Sequence, residues 1–234
     1  MALARRWWPI AVIVLGLAAV NVVSNRVISD RWYVPFAVVV AVVLLGFARA
    51  VDGRTWEDLG LARRHLARGL VWGFALIGIV LVVYLVAVAI PGTRELFKDD
   101  RVKGWSFGRT LEAVFVRVPL GTVLLEEVAF RAVLPATIAA RTTRRWAVGA
   151  SAVLFGFWHV LPSIGLGHRN QVAQDTIGAA PGWVPVAIAV VSTAAVGIWF
   201  SFLRNKSKSL LTPMALHWST NALGYLFAYF VWRA

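Results

Sequence analysis

Two adjacent glutamates, Glu126 and Glu127, are the residues of this chain whose position most suggests chemistry. They lie inside the apolar run from Leu120 to Ala140, in which Arg131 is the only other charged residue. An ionisable side chain at membrane depth costs about 3 kcal/mol on insertion scales, so it is retained where it faces a partner or a water-filled cavity. We therefore expect the pair to mark the working part of the protein.

Helical geometry places the two glutamates on different faces and predicts different roles for them. Glu127 and Arg131 are four residues apart and share one helix face, whereas Glu126 is rotated away by about 100°. Arg131 can then neutralise Glu127, and Glu126 stays free to act on a water molecule. For the two glutamates alone, a purely structural ion pair between helices is an equal alternative, because such pairs are also retained in membranes.

Two further apolar segments carry polar groups. His159 ends the segment that begins at Phe155, and a single histidine near a helix end is more often structural than catalytic. His217 and Asn221 are one helical turn apart, so both can donate to the same oxygen atom. Peptide hydrolysis needs a base for water and donors for the tetrahedral oxyanion. Glu126 with His159, and His217 with Asn221, could supply these two functions.

A metal mechanism is the alternative for the same residues. Glu126, His159 and His217 form a set that could bind Zn, but the sequence contains no HExxH motif, and we expect no required cofactor. Cysteine is absent, which excludes disulfides, thiolate metal sites and a cysteine nucleophile. All aspartates fall outside the apolar segments, which argues against a membrane aspartyl protease.

The elements that position these residues are predicted to be membrane helices. The chain has 234 residues, is 59% hydrophobic and has a mean hydropathy of +0.72, more apolar surface than one soluble core needs. We predict an all-α fold, a polytopic membrane bundle of about seven transmembrane helices plus interfacial helices, in a single domain of residues 1–234. The predicted spans are Trp8–Val23, Tyr33–Ala48, Leu70–Ile90, Leu120–Ala140, Trp146–Leu161, Trp183–Leu203 and Leu210–Trp232, each near the roughly 20 residues that cross a bilayer.

Two segments have the mixed composition of interfacial helices. Asp52–Gly69 combines apolar residues with charges around them, which favours a helix on the membrane surface. Gly104–Val118 has a similar mixture, and we expect Pro119 to separate it from the next span. The N-terminal apolar stretch has no small-residue cleavage site, so we interpret it as an uncleaved first helix rather than a signal peptide.

The cations predict the orientation. Counted over alternate loops, one side holds thirteen Lys and Arg residues and the other holds eight, which places the N-terminus in the cytoplasm and the C-terminus outside. We expect contacts with anionic lipids and no nucleic-acid partner, and we expect the bacterial inner (plasma) membrane as location. His217 is only nine residues from Lys208, which requires either that the segment from Arg204 to Leu211 is partly submerged or that the span ends are off by a turn.

Three motifs together resemble a known family. Glu126-Glu127-x-x-x-Arg131, Phe155-x-x-x-His159 and His217-x-x-x-Asn221 occur in this order on the three successive helices that carry polar groups and are similar to the signature of the CPBP family. These are the CAAX-processing and bacteriocin-processing intramembrane proteases, also called the Abi family. The resemblance covers about residues 104–224, the expected catalytic core.

The resemblance implies an all-helical endopeptidase acting on a membrane protein or peptide. In the family, the first glutamate and the histidine of the second motif activate water, which here are Glu126 and His159. His217 and Asn221 would stabilise the oxyanion, Glu127 would belong to the catalytic set, and Arg131 and Phe155 would support it. The family is usually described with a metal-independent glutamate mechanism. Two alternatives stay open: a non-catalytic partner or bacteriocin-immunity factor on the same scaffold, and a proton-coupled transporter.

Overall fold

The computed structural model describes residues 2–164, 176 and 180–234, and this part of the chain is helical, without strands. Arg169, one of the cations counted for the orientation, and Asp175, one of the aspartates outside the apolar segments, lie outside the described residues. The main helices are α1 (Ala2–Arg26), α2 (Asp30–Ala50), α3 (Leu66–Ala89), α4 (Pro91–Arg94), α5 (Phe107–Glu112), α6 (Leu124–Glu127), α7 (Leu134–Ala139), α8 (Arg144–Trp158), α9 (Val160–Ser163), α10 (Trp183–Ser207) and α11 (Leu211–Val231).

Four of these helical segments are long and apolar enough to cross a membrane. They are Trp7–Arg26, Asp30–Ala50, Arg63–Ala89 and Trp183–Ser207. The predicted all-α class is confirmed, and the protein is an integral membrane protein, while the count of about seven spans stays a prediction. The other three predicted spans correspond to residues 107–139, to α8 with α9, and to α11, which are the segments that contain the polar motifs.

Residues 107–139 form one continuous helical path, which we call the site helix. Our expectation that Pro119 separates two elements is wrong, because π-helical turns over Ala113–Val123 join α5 to α6. The Leu124 amide donates to the carbonyl of Pro119, five residues earlier. This wider turn lets the helix pass a residue that has no N–H of its own. A second π-helical stretch, Val128–Val133, begins directly after the two glutamates.

The surface helix predicted over Asp52–Gly69 is wrong in its first part. The chain makes turns up to residue 62, followed by a 3₁₀ turn at Arg63–His65 and the start of α3. Gly53 and Gly60 have φ of 68° and 75°, a left-handed conformation that a regular helix cannot contain. The carbonyl of Gly60 accepts a hydrogen bond of 2.8 Å from the Leu210 amide, so this loop is fastened to the start of α11.

The site helix is the centre of the bundle. Every residue from 125 to 134 is buried, and helices α2, α8 and α11 pack around this segment. A helix that is apolar all round is expected in such a position. The two glutamates and Arg131 are therefore enclosed by the protein itself.

Loop contacts agree with the two sides that the charge count assigned. On the side rich in cations, Arg204 donates to the Asp58 carbonyl and Arg144 donates to Asn205 Oδ1 at 2.6 Å. On the other side, the Trp232 indole donates to the Asp99 carbonyl at 3.0 Å. The loops of each predicted side therefore meet one another across the bundle.

The approach to α11 accounts for the depth of His217. Ser207, Ser209 and Leu210 have 0% exposed surface. The chain between α10 and α11 is thus buried on either side of the exposed Lys208, which fits the explanation that this segment is partly submerged. His217 can then lie deep in the bundle although Lys208 is close in sequence.

We predict that Gly156→Ala destabilises the protein. A Cβ atom at Gly156 would lie 2.6 Å from the backbone oxygen of Val190 on α10, so the substitution should cost about 1–3 kcal/mol of unfolding free energy. Gly149 is the matched control, because it lies on the same helix α8 with nothing within 4 Å of its added Cβ. Thermal unfolding in detergent should show a lower midpoint for Gly156→Ala and an unchanged or higher one for Gly149→Ala. Equal midpoints would contradict close packing of α8 on α10.

Candidate active site

Two helices bring ionisable side chains together in the core. The site helix carries Glu126, Glu127 and Arg131, and α11 carries His217; their exposed fractions are 7%, 0%, 2% and 7%. Helix α8 closes the group with Trp158. Four ionisable residues in one buried cluster require mutual pairing, because isolated buried charges are strongly unfavourable.

Glu127 and Arg131 make the contact that their spacing predicts. Arg131 Nε lies 3.5 Å from Glu127 Oε2. The guanidinium carbon lies 3.8 Å from the ring centroid of Phe155 and 5.1 Å from that of Phe200. Aromatic faces attract a cation electrostatically, so Phe155 and Phe200 stabilise the buried arginine.

His217 bridges the two glutamates, a connection that the sequence did not indicate. Its Nδ1 lies 2.8 Å from Glu127 Oε1, and since a carboxylate accepts, Nδ1–H is the donor. Its Nε2 lies 3.8 Å from Glu126 Oε2. Glu127 thereby holds the imidazole with Nε2 directed at Glu126.

Glu126 is fixed through one of its two oxygens. The Trp158 indole N–H donates to Glu126 Oε1 at 3.0 Å, and the Trp158 carbonyl accepts from Asn21 of α1 at 2.7 Å. Oε2 is buried and has no hydrogen-bond partner among the described residues. Sequence reasoning missed Trp158, and its place next to His159 in the second motif was the available signal.

The separation between Glu126 and His217 has a chemical consequence. At 3.8 Å, Glu126 Oε2 and His217 Nε2 are too far apart for a direct hydrogen bond. A water molecule lying beside both atoms could bond to each of them. The carboxylate of Glu126 and the imidazole of His217 can therefore act on the same water molecule.

His159 and Asn221 lie near this cluster in sequence but make no hydrogen bond or ion pair to either glutamate within the part of the chain that the structure describes. His159 is half-buried, and its Nδ1 lies 2.8 Å from the Phe155 carbonyl. A carbonyl can only accept, so Nε2 of the neutral ring is left as an acceptor. Asn221 is exposed, one turn beyond His217 on α11.

The residues considered as Zn ligands do not form a metal-binding group here. Among residues 2–164, 176 and 180–234, no three His, Asp or Glu side chains are arranged to hold a metal ion. Glu126, His159 and His217 are therefore not arranged as a set of metal ligands. The donors that the structure does bring together are Glu126, Glu127 and His217 with the cation of Arg131.

Comparison with known proteins gives one finding. Residues 109–223 match the model of the family described as type II CAAX prenyl endopeptidase Rce1-like. The matched region contains all three motifs, from Glu126 to Asn221, and it confirms the resemblance stated above. Neither curated proteins nor solved structures give a significant match.

We predict that Glu127 and Arg131 are energetically coupled. Alanine at either position leaves a buried charge without its partner, which should cost about 3–5 kcal/mol of stability. The double substitution removes both charges and should cost less than the sum of the single changes. Thermal or chemical unfolding of the four proteins in detergent measures this difference, with the exposed Glu112→Ala as a control for loss of a carboxylate. Additive losses would show that the two residues do not act as a pair.

Proposed function

Because the chain belongs to the Rce1-like family of type II CAAX prenyl endopeptidases, we propose that it is a glutamate-dependent intramembrane endopeptidase. It hydrolyses a peptide bond of a membrane-associated protein or peptide. Water is activated by Glu126 and His159, and the oxyanion is held by His217 and Asn221. The observation that carries this proposal is the opposition of Glu126 Oε2 and His217 Nε2 at 3.8 Å in a buried site.

Glu126 acts as the general base. Oε2 has no partner among the described residues, whereas Oε1 accepts from Trp158, so Oε2 is the oxygen available to a water molecule. It takes the proton as the water oxygen attacks the carbonyl carbon, and the protonated Glu126 then gives this proton to the leaving amine. His159 assists through Nε2, the acceptor left by its bond to the Phe155 carbonyl.

His217 serves as a donor to the oxyanion. The bond from Nδ1–H to Glu127 stabilises an imidazolium, whose Nε2–H can donate to the tetrahedral intermediate. Charge balance supports this form. Ionised Glu126 and Glu127 carry two negative charges, and Arg131 with protonated His217 carries two positive charges. Asn221, one turn further on α11, supplies the second donor when substrate is bound.

The loop contacts and the cation distribution support an orientation. We place the N-terminus in the cytoplasm and the C-terminus outside a bacterial inner membrane, with the cation-rich loops on the cytoplasmic side. The proposed chemistry uses no metal, and a Zn-dependent reaction is its direct competitor.

We predict that Glu126→Gln lowers the rate of peptide cleavage by about 100-fold or more, the contribution of a general base, without unfolding the protein. Glutamine keeps the size of the side chain and an acceptor for the Trp158 indole, but it cannot take a proton. The control is Glu112→Gln, which removes an exposed carboxylate from the same helix.

Substrates are identified by comparing the membrane peptides of cells that produce the wild-type protein with those of cells that produce Glu126→Gln. The purified proteins are then tested on those peptides and on a prenylated CAAX peptide. Cleavage by Glu126→Gln at the wild-type rate would refute the mechanism. Reversible loss of wild-type activity on removal of metal by a chelator would favour Zn. A biological role that persists in Glu126→Gln would favour the non-catalytic partner.

A further inference from the structure

A cavity with a volume of about 450 Å³ lies on the cation-rich side of the bundle. It is formed where the site helix ends, α8 begins and α10 ends, and the loop before α3 covers part of it. Its apolar wall consists of Pro135, Ala136, Ala139, Ala140, Ala147 and Val148. We call it the basic pocket because of the charged residues described next.

Cations outnumber anions in the lining of the basic pocket. Five positively charged residues line it, against two acidic residues. The acids are already engaged: Glu57 pairs with Arg64, which is not part of the lining, and the Asp58 carboxylate accepts from the amide and hydroxyl of Thr55. Of the cations, Arg54 pairs with Asp52, which is also outside the lining. The cations are Arg54, Arg131, Arg144, Arg204 and Lys208. An excess of positive charge around a concave site attracts an anion.

Arg131 supplies an independent indication. Its side chain is 98–99% buried, with 1% of the side chain and 2% of the residue exposed, yet Nη1 and Nη2 have no hydrogen-bond partner among the described residues. Buried polar groups are normally hydrogen-bonded. The guanidinium fork fits the oxygens of a phosphate or carboxylate. An oxyanion in the basic pocket would satisfy these donors.

We propose that the basic pocket binds the phosphate group of an anionic phospholipid. The pocket lies beside the end of α10, a helix long and apolar enough to cross a membrane, so a bilayer crossed by α10 would place its headgroups near the pocket. It also joins a cationic rim to an apolar wall. A phospholipid presents a phosphate next to an apolar glycerol-ester region, so its two parts match the two parts of the pocket. Inorganic phosphate matches the cations alone.

This site is separate from the hydrolytic chemistry but shares Arg131 with it. Arg131 lines the pocket while its Nε lies 3.5 Å from Glu127 Oε2, and neither glutamate of the pair is part of the lining. Binding can therefore be measured without substrate, on a chain whose peptidase activity is intact or abolished.

The rim offers closely matched variants. Arg144, Arg145, Lys206 and Lys208 are all exposed, but only Arg144 and Lys208 line the pocket. The double variants Arg144→Gln/Lys208→Gln and Arg145→Gln/Lys206→Gln have the same net charge on the same side of the protein. Lys208→Gln and Lys206→Gln form a second matched pair should the loss of the bond from Arg144 to Asn205 prevent folding.

The test is a titration of full-length protein in neutral detergent, followed by native mass spectrometry. The probes are phosphatidylglycerol, phosphatidylcholine with the same acyl chains, and inorganic phosphate at equal ionic strength. We expect one phosphatidylglycerol to be retained by wild type and by Arg145→Gln/Lys206→Gln. Arg144→Gln/Lys208→Gln should bind it about tenfold more weakly, as expected for the loss of a hydrogen bond to a charged group. Phosphatidylcholine should not be retained specifically.

Three results would overturn the proposal. Equal weakening in the two double variants would show diffuse attraction by surface charge rather than a site. Retention of inorganic phosphate as strong as that of phosphatidylglycerol would assign the pocket to a soluble phosphate. Displacement of the lipid by a peptide with a free C-terminal carboxylate, but not by the amidated peptide, would assign it to a peptide.

Discussion

The hydrogen bond from His217 to Glu127 is the interaction on which the site depends. It joins the site helix to α11 through two buried side chains at 2.8 Å. Because the carboxylate fixes the donor at Nδ1, the other ring nitrogen faces Glu126. His217 reaches Glu127 although Lys208 is close in sequence, because Ser207, Ser209 and Leu210 at the approach to α11 are buried in the bundle.

Burial of charge sets the second constraint. Inside the bundle, electrostatic interactions are stronger than in water and an unpaired group is correspondingly costly. Neighbouring side chains offset this cost: the Trp158 indole donates to Glu126, and Phe155 and Phe200 lie against the Arg131 guanidinium. The π-helical turns before and after the glutamate pair change the helix locally at the point where these groups must meet. Such turns are frequent at functional sites.

Features that depend on hydropathy or on residue spacing within one helix could be predicted from the sequence. The all-helical class and the contact between Glu127 and Arg131 follow from hydropathy and from the four-residue interval. The bridge by His217 and the bond from Trp158 connect different helices, and they depend on how each helix is rotated and how deep it lies. Pro119 misled the prediction because a proline signals a break in a regular α-helix, whereas the π-helical turn accommodates it.

The protonation of the His217 ring tests this arrangement most directly. Protein labelled with [¹⁵N]histidine has four histidines, and His217→Gln identifies the signals of His217 in the ¹⁵N spectrum. The account predicts that Nδ1 carries a proton in a strong hydrogen bond and that this signal shifts in Glu127→Gln but not in Glu112→Gln. An unprotonated Nδ1 in the wild-type protein would contradict the bond to Glu127 and, with it, the orientation of Nε2 toward Glu126.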